Sequence, residues 1–294
     1  MKQLKGIFPA LLTPFDATGH LNEASLRRLV SVNIARGVTG FYVAGSTGEA
    51  FLLTAEERKR VFEIVADENA GRVTLIAHVG AIGTDLTLDL GRHAVAHGAD
   101  AISSIPPFYY KFSGDEVVGY YTELADKLDA PIIPYNFPAL SGVTLTGPLI
   151  QRLRKHKRIM GVKFTSNDLF QLEQMKQADP DLVVYNGFDE ICLAGLAMGA
   201  DGAIGSTFNF MPEKFLAIRK HFMAGEMALA QKQQSQANEV IQVLIDTGKL
   251  LAGEKYLMDL QGIPCGACRS PFTPLTDTDK KNLQDVAKKL LVPN

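Results

Sequence analysis

The sequence predicts a closed (β/α)8 barrel with a helical extension at its C-terminal end. Two observations carry that reading. Eight short, β-rich apolar runs recur along the 294 residues, and each is followed by a polar turn and then a stretch with helical spacing. Strands that alternate with helices pair in parallel through right-handed crossovers, and eight such units close into a barrel. An open doubly wound sheet usually needs fewer strands, and no G-x-G-x-x-G follows the first run.

The runs are residues 6–12, 40–44, 74–79, 101–105, 131–135, 159–164, 182–185 and 202–204. The first begins close to the N-terminus and faintly resembles a signal peptide. Pro9 and Pro14 interrupt it and Asp16 follows, so a strand is expected there rather than a secretion signal. Between the runs, Leu26, Leu29, Val30, Val32 and Ile34 form one helical face before Gly37. Thr54-Ala55-Glu56-Glu57 is a capped helix start, with Val61, Ile64 and Val65 behind it. Leu86, Leu90, Ala94 and Val95 form a third face before Gly98. After the eighth run, residues 213–223, 227–247, 254–261 and 277–291 all carry helical spacing, more than one barrel unit requires. The expected organisation is therefore a barrel over residues 1–225 that carries the site. A helical extension over 226–294 packs on it and offers a place for subunit contacts.

Composition narrows the function classes. Lys+Arg number 30 and Asp+Glu 32, a net charge of −2 that gives no reason to expect nucleic acid or an anionic membrane as partner. No apolar run is long enough to span a bilayer. The 3 cysteines, an odd and sparse set, fit a reduced cytoplasmic protein rather than a disulfide scaffold.

Barrel sites lie at the C-terminal ends of the strands. The second run ends in Gly45-Ser46-Thr47-Gly48-Glu49, a turn whose amides and two hydroxyls suit an anion, carboxylate or phosphate. No Walker-type lysine follows it. The fourth run ends in Pro106-Pro107-Phe108-Tyr109-Tyr110, the fifth in Tyr135-Asn136, and the sixth in Lys163 and Thr165. The seventh ends in Tyr185-Asn186-Gly187-Phe188-Asp189-Glu190 and the eighth in Gly205-Ser206-Thr207.

Lys163 stands out, because a lysine near the end of a strand buried on both faces is costly to keep charged. At its ordinary pKa only about one amine in a few thousand is neutral at pH 7; a drop of roughly three units makes it a usable nucleophile for Schiff-base chemistry. The alternatives are a side chain that snorkels out or pairs with a carboxylate. Tyr135 is a candidate proton carrier beside it. Asp189 and Glu190 are candidate acceptors for sugar hydroxyls, or simply acidic residues at a helix start. His93-Ala94-Val95-Ala96-His97 lacks the zincin glutamate, and Cys265-Gly266-Ala267-Cys268 has no second pair, so neither predicts zinc. His78 is expected to line the barrel, and the Phe108–Tyr110 aromatics to pack.

Together, Gly45-Ser46-Thr47-Gly48-Glu49, Tyr135-Asn136-x-Pro138 and Gly161-Val162-Lys163 resemble the N-acetylneuraminate lyase and dihydrodipicolinate synthase family over nearly the whole chain. The resemblance implies a class I aldolase barrel, usually homotetrameric, that holds pyruvate as a Schiff base and needs no cofactor. Dihydrodipicolinate synthases carry an arginine two residues after the proline; Leu140 stands there, and an aliphatic side chain cannot pair with a substrate carboxylate. The segments from Lys163 and Tyr185 are similar to those of the sialic acid lyases. That likeness implies reversible cleavage of N-acetylneuraminate to N-acetylmannosamine and pyruvate, with other 2-keto-3-deoxy sugar acids, or binding without catalysis, as alternatives. It further implies that Lys163 forms the Schiff base, Tyr135 shuttles protons, and Ser46 and Thr47 hold the pyruvyl carboxylate. Thr165, Gly187, Asp189, Glu190 and Ser206 would contact the sugar. Gly187 would act through its backbone, leaving room for that sugar, and Tyr109 would reach into a neighbouring subunit's site.

Overall fold

A computed structural model describes residues 3–291; residues 1–2 and 292–294, the outermost parts of the expected barrel and extension, lie outside the described residues. Eight parallel strands form one sheet in the order β1-β8-β7-β6-β5-β4-β3-β2. They are β1 (Ile7–Pro9), β2 (Gly40–Val43), β3 (Thr74–His78), β4 (Ala101–Ser104), β5 (Ile132–Asn136), β6 (Gly161–Phe164), β7 (Val183–Asn186) and β8 (Gly202–Gly205). The ring closes where the Thr39 amide donates to Ile7 O and the Leu11 amide to Tyr42 O. The fold is a TIM barrel, as the alternation of runs predicts.

The crossover helices are α1 (Glu23–Ala35), α2 (Ala55–Asn69), α3 (Thr84–Ala96), α4 (Gly114–Lys127), α6 (Gly147–Leu153), α7 (Leu169–Ala178), α8 (Cys192–Ala197) and α9 (Pro212–Met223), with a short α5 (Pro138–Ser141) before α6. The Thr54 start of α2 is a full capping box, the side chains and amides of Thr54 and Glu57 satisfying each other. The α3 face differs from expectation. Thr87, Leu88, Leu90, Gly91 and Ala94 are buried, while Leu86 is exposed. Leu90 and Ala94 hold the expected face, with Val95 packed against the core; Leu88 and Gly91, three apart, join it in place of Leu86.

Two apolar layers result. Phe8, Tyr42, Ile76, Ile105, Ile133, Tyr135, Tyr185 and Ile204 fill the barrel interior. The other faces of the strands pack against the helices in a larger layer that includes Ile7, Phe41, Leu75, Ile102, Val162 and Val184. Burial on both faces explains why the runs read as continuous apolar segments rather than alternating ones.

Helices α10 (Met227–Asp246), α11 (Leu250–Leu260) and α12 (Asp277–Leu290) follow. Helix α10 packs along α9, and α11 and α12 pack on it in turn. Helix α11 begins four residues before the expected start at 254, because Gly253 does not break it. A Cβ at Gly253 would lie 2.5 Å from Leu244 Cδ2, so the glycine lets α11 approach α10 closely.

Candidate active site

Sheet register sets the centre. Tyr135 on β5 pairs with Lys163 on β6, and Lys163 pairs with Tyr185 on β7, so the three side chains share one level of the barrel interior. Lys163 is 4% exposed, and its Nζ lies 4.1 Å from the ring centroids of both Tyr42 and Tyr135. Among the described residues it forms no ion pair, so it neither snorkels out nor pairs with a carboxylate. Burial pulls its pKa from 10.5 down to about 7, against the opposing charge of Asp189. The faces of the two rings favour an ammonium, yet desolvation outweighs them. Roughly half the amine is therefore neutral near pH 7.

Burial pushes the Tyr135 phenol up to about 12, while the nearby hydroxyls of Thr165 and Ser46 draw it back. Those contacts are not well-aligned hydrogen bonds: Ser46 Oγ and Thr165 Oγ1 are both buried without a partner. Three hydroxyls thus converge beside the amine with bonding capacity to spare.

The turn after β2 supplies the anion cradle. The Gly48 and Glu49 amides are spent on the Gly45 and Ser46 carbonyls, each at 3.0 Å. Among the described residues the Ser46 and Thr47 amides have no such acceptor. The left-handed residues are not the glycines but Ala44 and Glu49, both at φ 56°. This strain is held from outside the barrel: Glu49 Oε1 forms an ion pair with Lys255 Nζ at 2.6 Å, and Oε2 accepts from the Arg269 amide at 2.7 Å.

A cavity of about 370 Å³ opens over the lysine. Ser46, Thr47, Tyr135, Lys163, Thr165, Gly187, Asp189, Glu190 and Ser206 all line it, so residues scattered over the sequence meet there. Leu140 lines it too, with an aliphatic side chain that offers no charge to a second carboxylate. The walls are not confined to residues 1–225; Ile241, Ile245, Leu250, Leu251 and Phe272 complete them.

Tyr109 is not among the lining residues. It is 84% exposed, at φ 80°, with its ring edge-on to Tyr110. Phe108 packs on Phe51 instead.

Gly187 has a packing role as well. A Cβ there would lie 1.9 Å from Thr165 Oγ1. The glycine thus permits the ends of β6 and β7 to approach; what a side chain would displace first is Thr165.

Asp189 is more occupied than its sequence context suggests. Its Oδ2 accepts from the Thr207 amide at 2.8 Å and from Thr207 Oγ1 at 2.6 Å. Burial raises its pKa to about 6, against the lowering bonds from Thr207. Its backbone is pinned by Gln234, and that of Glu190 by Asn238, both from α10.

Several participants have no signature in the sequence. Tyr42 sits inside an apolar run, and only the closed barrel brings its ring to 4.1 Å from the lysine Nζ. Thr207, Gln234, Asn238, Glu254 and Lys255 act across long chain separations. His78 lines the barrel as expected: Nδ1 bonds Ala44 O and Nε2 accepts from the Ile105 amide, while burial holds its pKa well below the usual value. His93 and His97 stack on the barrel's outer surface, and Glu63 of α2 pairs with His93. Arg60 holds the other oxygen of Glu63, so Glu63 ties α2 to α3 through a hydrogen-bonded network. Cys265 and Cys268 are free thiols.

Comparison with known proteins agrees with this geometry. Residues 3–290 match the model of the "Dihydrodipicolinate synthetase family". The chain is 47% identical over 290 residues to an N-acetylneuraminate lyase of Rhizobium meliloti, covering 98% of this chain and 96% of that one. CdNal from Clostridium difficile, solved in complex with mannosamine, superposes with a TM-score of 0.96 at 36% identity, covering 99% and 100% of the two chains. The N-acetylneuraminate lyase from Fusobacterium nucleatum superposes with a TM-score of 0.94 at 36% identity, covering 98% and 99%.

Proposed function

The chain belongs to the dihydrodipicolinate synthetase family, and from that premise we propose that it is a class I aldolase that cleaves N-acetylneuraminate reversibly to N-acetylmannosamine and pyruvate. The observation that carries this reading is Lys163: a buried amine with its pKa drawn to about 7, in register with Tyr135.

In the proposed cycle, neutral Lys163 attacks the C2 ketone of open-chain N-acetylneuraminate, and water leaves to give a protonated imine. The imine is the electron sink, so the scheme calls on no metal or organic cofactor. Loss of the C4 hydroxyl proton breaks the C3–C4 bond, which releases N-acetylmannosamine and leaves an enamine on Lys163. Protonation at C3 and hydrolysis then release pyruvate and regenerate the amine. Tyr135 moves the protons; its high pKa keeps the phenol protonated, and Thr165 and Ser46 stand close enough to complete a relay.

Ser46 and Thr47, with their amides, hold the pyruvyl carboxylate. Thr165, the Gly187 backbone, Asp189, Glu190 and Ser206 face the polyhydroxylated remainder. Leu140 disfavours a second carboxylate there, which supports a sugar rather than a dicarboxylic product.

A homotetramer belongs to the same reading. The support is the exposed aromatic pair of Tyr109 and Tyr110, with Tyr109 outside the lining of its own cavity and open to a neighbouring subunit. A cytoplasmic location is also part of it, supported by cysteines that are all free. Among the described residues no helix is long and apolar enough to cross a membrane.

The test is a coupled pyruvate-release assay with N-acetylneuraminate beside 2-keto-3-deoxygluconate, using the wild type and Lys163→Ala. Lysine-dependent release from N-acetylneuraminate is expected. Preferential release from the shorter acid would reassign the substrate.

A further inference from the structure

Glu254 on α11 is wholly buried, at 0% exposed, and takes no part in the cycle above. Its Oε1 lies 2.5 Å from Ser206 Oγ, and its Oε2 is buried without a hydrogen-bond partner. Ser206 follows β8 and lines the cavity, whereas Glu254 stands behind it. Among the described residues Glu254 has no cationic partner, because the adjacent Lys255 is held by Glu49. A buried carboxyl with a single hydroxyl partner is costly and asks for a reason.

We propose that Glu254 is a positioning residue: it sets the direction of the Ser206 hydroxyl proton, and so decides whether Ser206 gives or accepts a hydrogen bond at the polyol end of the cavity. The proposal rests on the functional reading above and extends it to substrate recognition.

A serine hydroxyl has one proton and two lone pairs. Opposite an ionised carboxylate, which only accepts, Ser206 must point its proton backward and show lone pairs to the ligand. Opposite a carboxylic acid, Ser206 can accept from Glu254 and turn its own proton into the cavity. Asp189 and Glu190, the carboxylates that line the cavity, accept only. A donor at Ser206 therefore lets a polyol be gripped from both sides. Burial pushes the Glu254 pKa up to about 8, the Ser206 contact lowers it, and the charge of Asp189 raises it further. Cys268 also faces Glu254, and burial holds that thiol at about 12, so it stays uncharged. Near neutral pH, Glu254 is then mainly the acid and Ser206 the donor; in base the polarity reverses.

The experiment is steady-state cleavage of N-acetylneuraminate from about pH 6.5 to about 9.5, bracketing the Glu254 transition. It compares the wild type, Glu254→Gln, Glu254→Leu, Ser206→Ala and the Leu/Ala double variant. Borohydride trapping of pyruvate, which has no polyol, runs alongside. The wild-type KM should rise about three- to tenfold above pH 8, the value of one neutral hydrogen bond. Glu254→Gln, whose amide N–H replaces the acid O–H, should keep the neutral-pH KM and lose the alkaline rise. Glu254→Leu should raise KM by the same factor at every pH and add nothing in the Ser206→Ala background. In both variants kcat and pyruvate trapping should change less than about twofold.

An alkaline rise that persists in Glu254→Gln, or additive losses in the double variant, would overturn the proposal. If Glu254→Leu fails to fold, the Glu254→Gln pH profile decides alone. A wild type inactive on N-acetylneuraminate would instead overturn the functional reading.

Discussion

Replacing Lys163 by methionine should abolish turnover and at the same time make the protein more stable. The unfolded chain holds this amine at its ordinary pKa of 10.5, and the folded site holds it at about 7. Between those values the unfolded state binds more protons, so stability rises with pH across that window. At pH 7 the folded protein bears a cost of about 4 kcal/mol for withdrawing the amine from water and from its proton. That cost falls to about 2 kcal/mol at pH 9 and to under about 1 kcal/mol at pH 10.5. Methionine fills a similar volume without a titratable group and removes the cost at all three. Thermal unfolding at matched protein concentration should show Lys163→Met melting roughly 5–10 °C above the wild type at pH 7. The gap should narrow by about half at pH 9. No stabilisation, or a gap that widens with pH, would refute the claim that burial is what lowers the amine's pKa.

Tyr135→Phe should lower kcat about 10²- to 10⁴-fold while Lys163 can still be trapped by pyruvate and borohydride, as steady-state kinetics and peptide mapping would show. The rate of that trapping in the wild type should climb with pH through about 7 and then level off, because only the neutral amine reacts. Gly187→Ala would press a methyl against Thr165 and should cost about 1–3 kcal/mol together with a raised KM for N-acetylneuraminate, read by denaturation and kinetics. Lys255→Met leaves Glu49 buried without its cation and should destabilise by about 3–5 kcal/mol; adding Glu49→Gln should recover much of that loss in the same melt.

The fold was legible because each barrel strand is buried on both faces, which writes a continuous apolar run into the chain. The strand limits were less so. The first run reads as residues 6–12, but the regular strand covers only Ile7–Pro9; beyond it the pairing goes on as single bonds from the Ala10 amide to Gly205 O and from the Leu11 amide to Tyr42 O. The centre of the site was legible where one residue type is out of place: a lysine in an apolar strand, or a Gly-Ser-Thr-Gly turn after one. What could not be read is what lies behind those residues. Glu254 and Lys255 look like an ordinary charged turn of a helix, and both are buried only because α11 packs over the barrel mouth. Tyr42 looks like one more core aromatic until barrel closure brings its ring across the interior to Lys163. Thr207 takes up the Asp189 carboxylate across 18 residues, a contact that local spacing does not encode.

The most direct test of the account is chemical capture of the imine. Pyruvate is added to the protein, borohydride reduces any Schiff base, and the modified residue is located by peptide mapping. The account predicts the three-carbon unit on Lys163, abolished in Lys163→Ala and weakened in acid as the amine protonates. An unmodified Lys163 in protein that turns over substrate would contradict it.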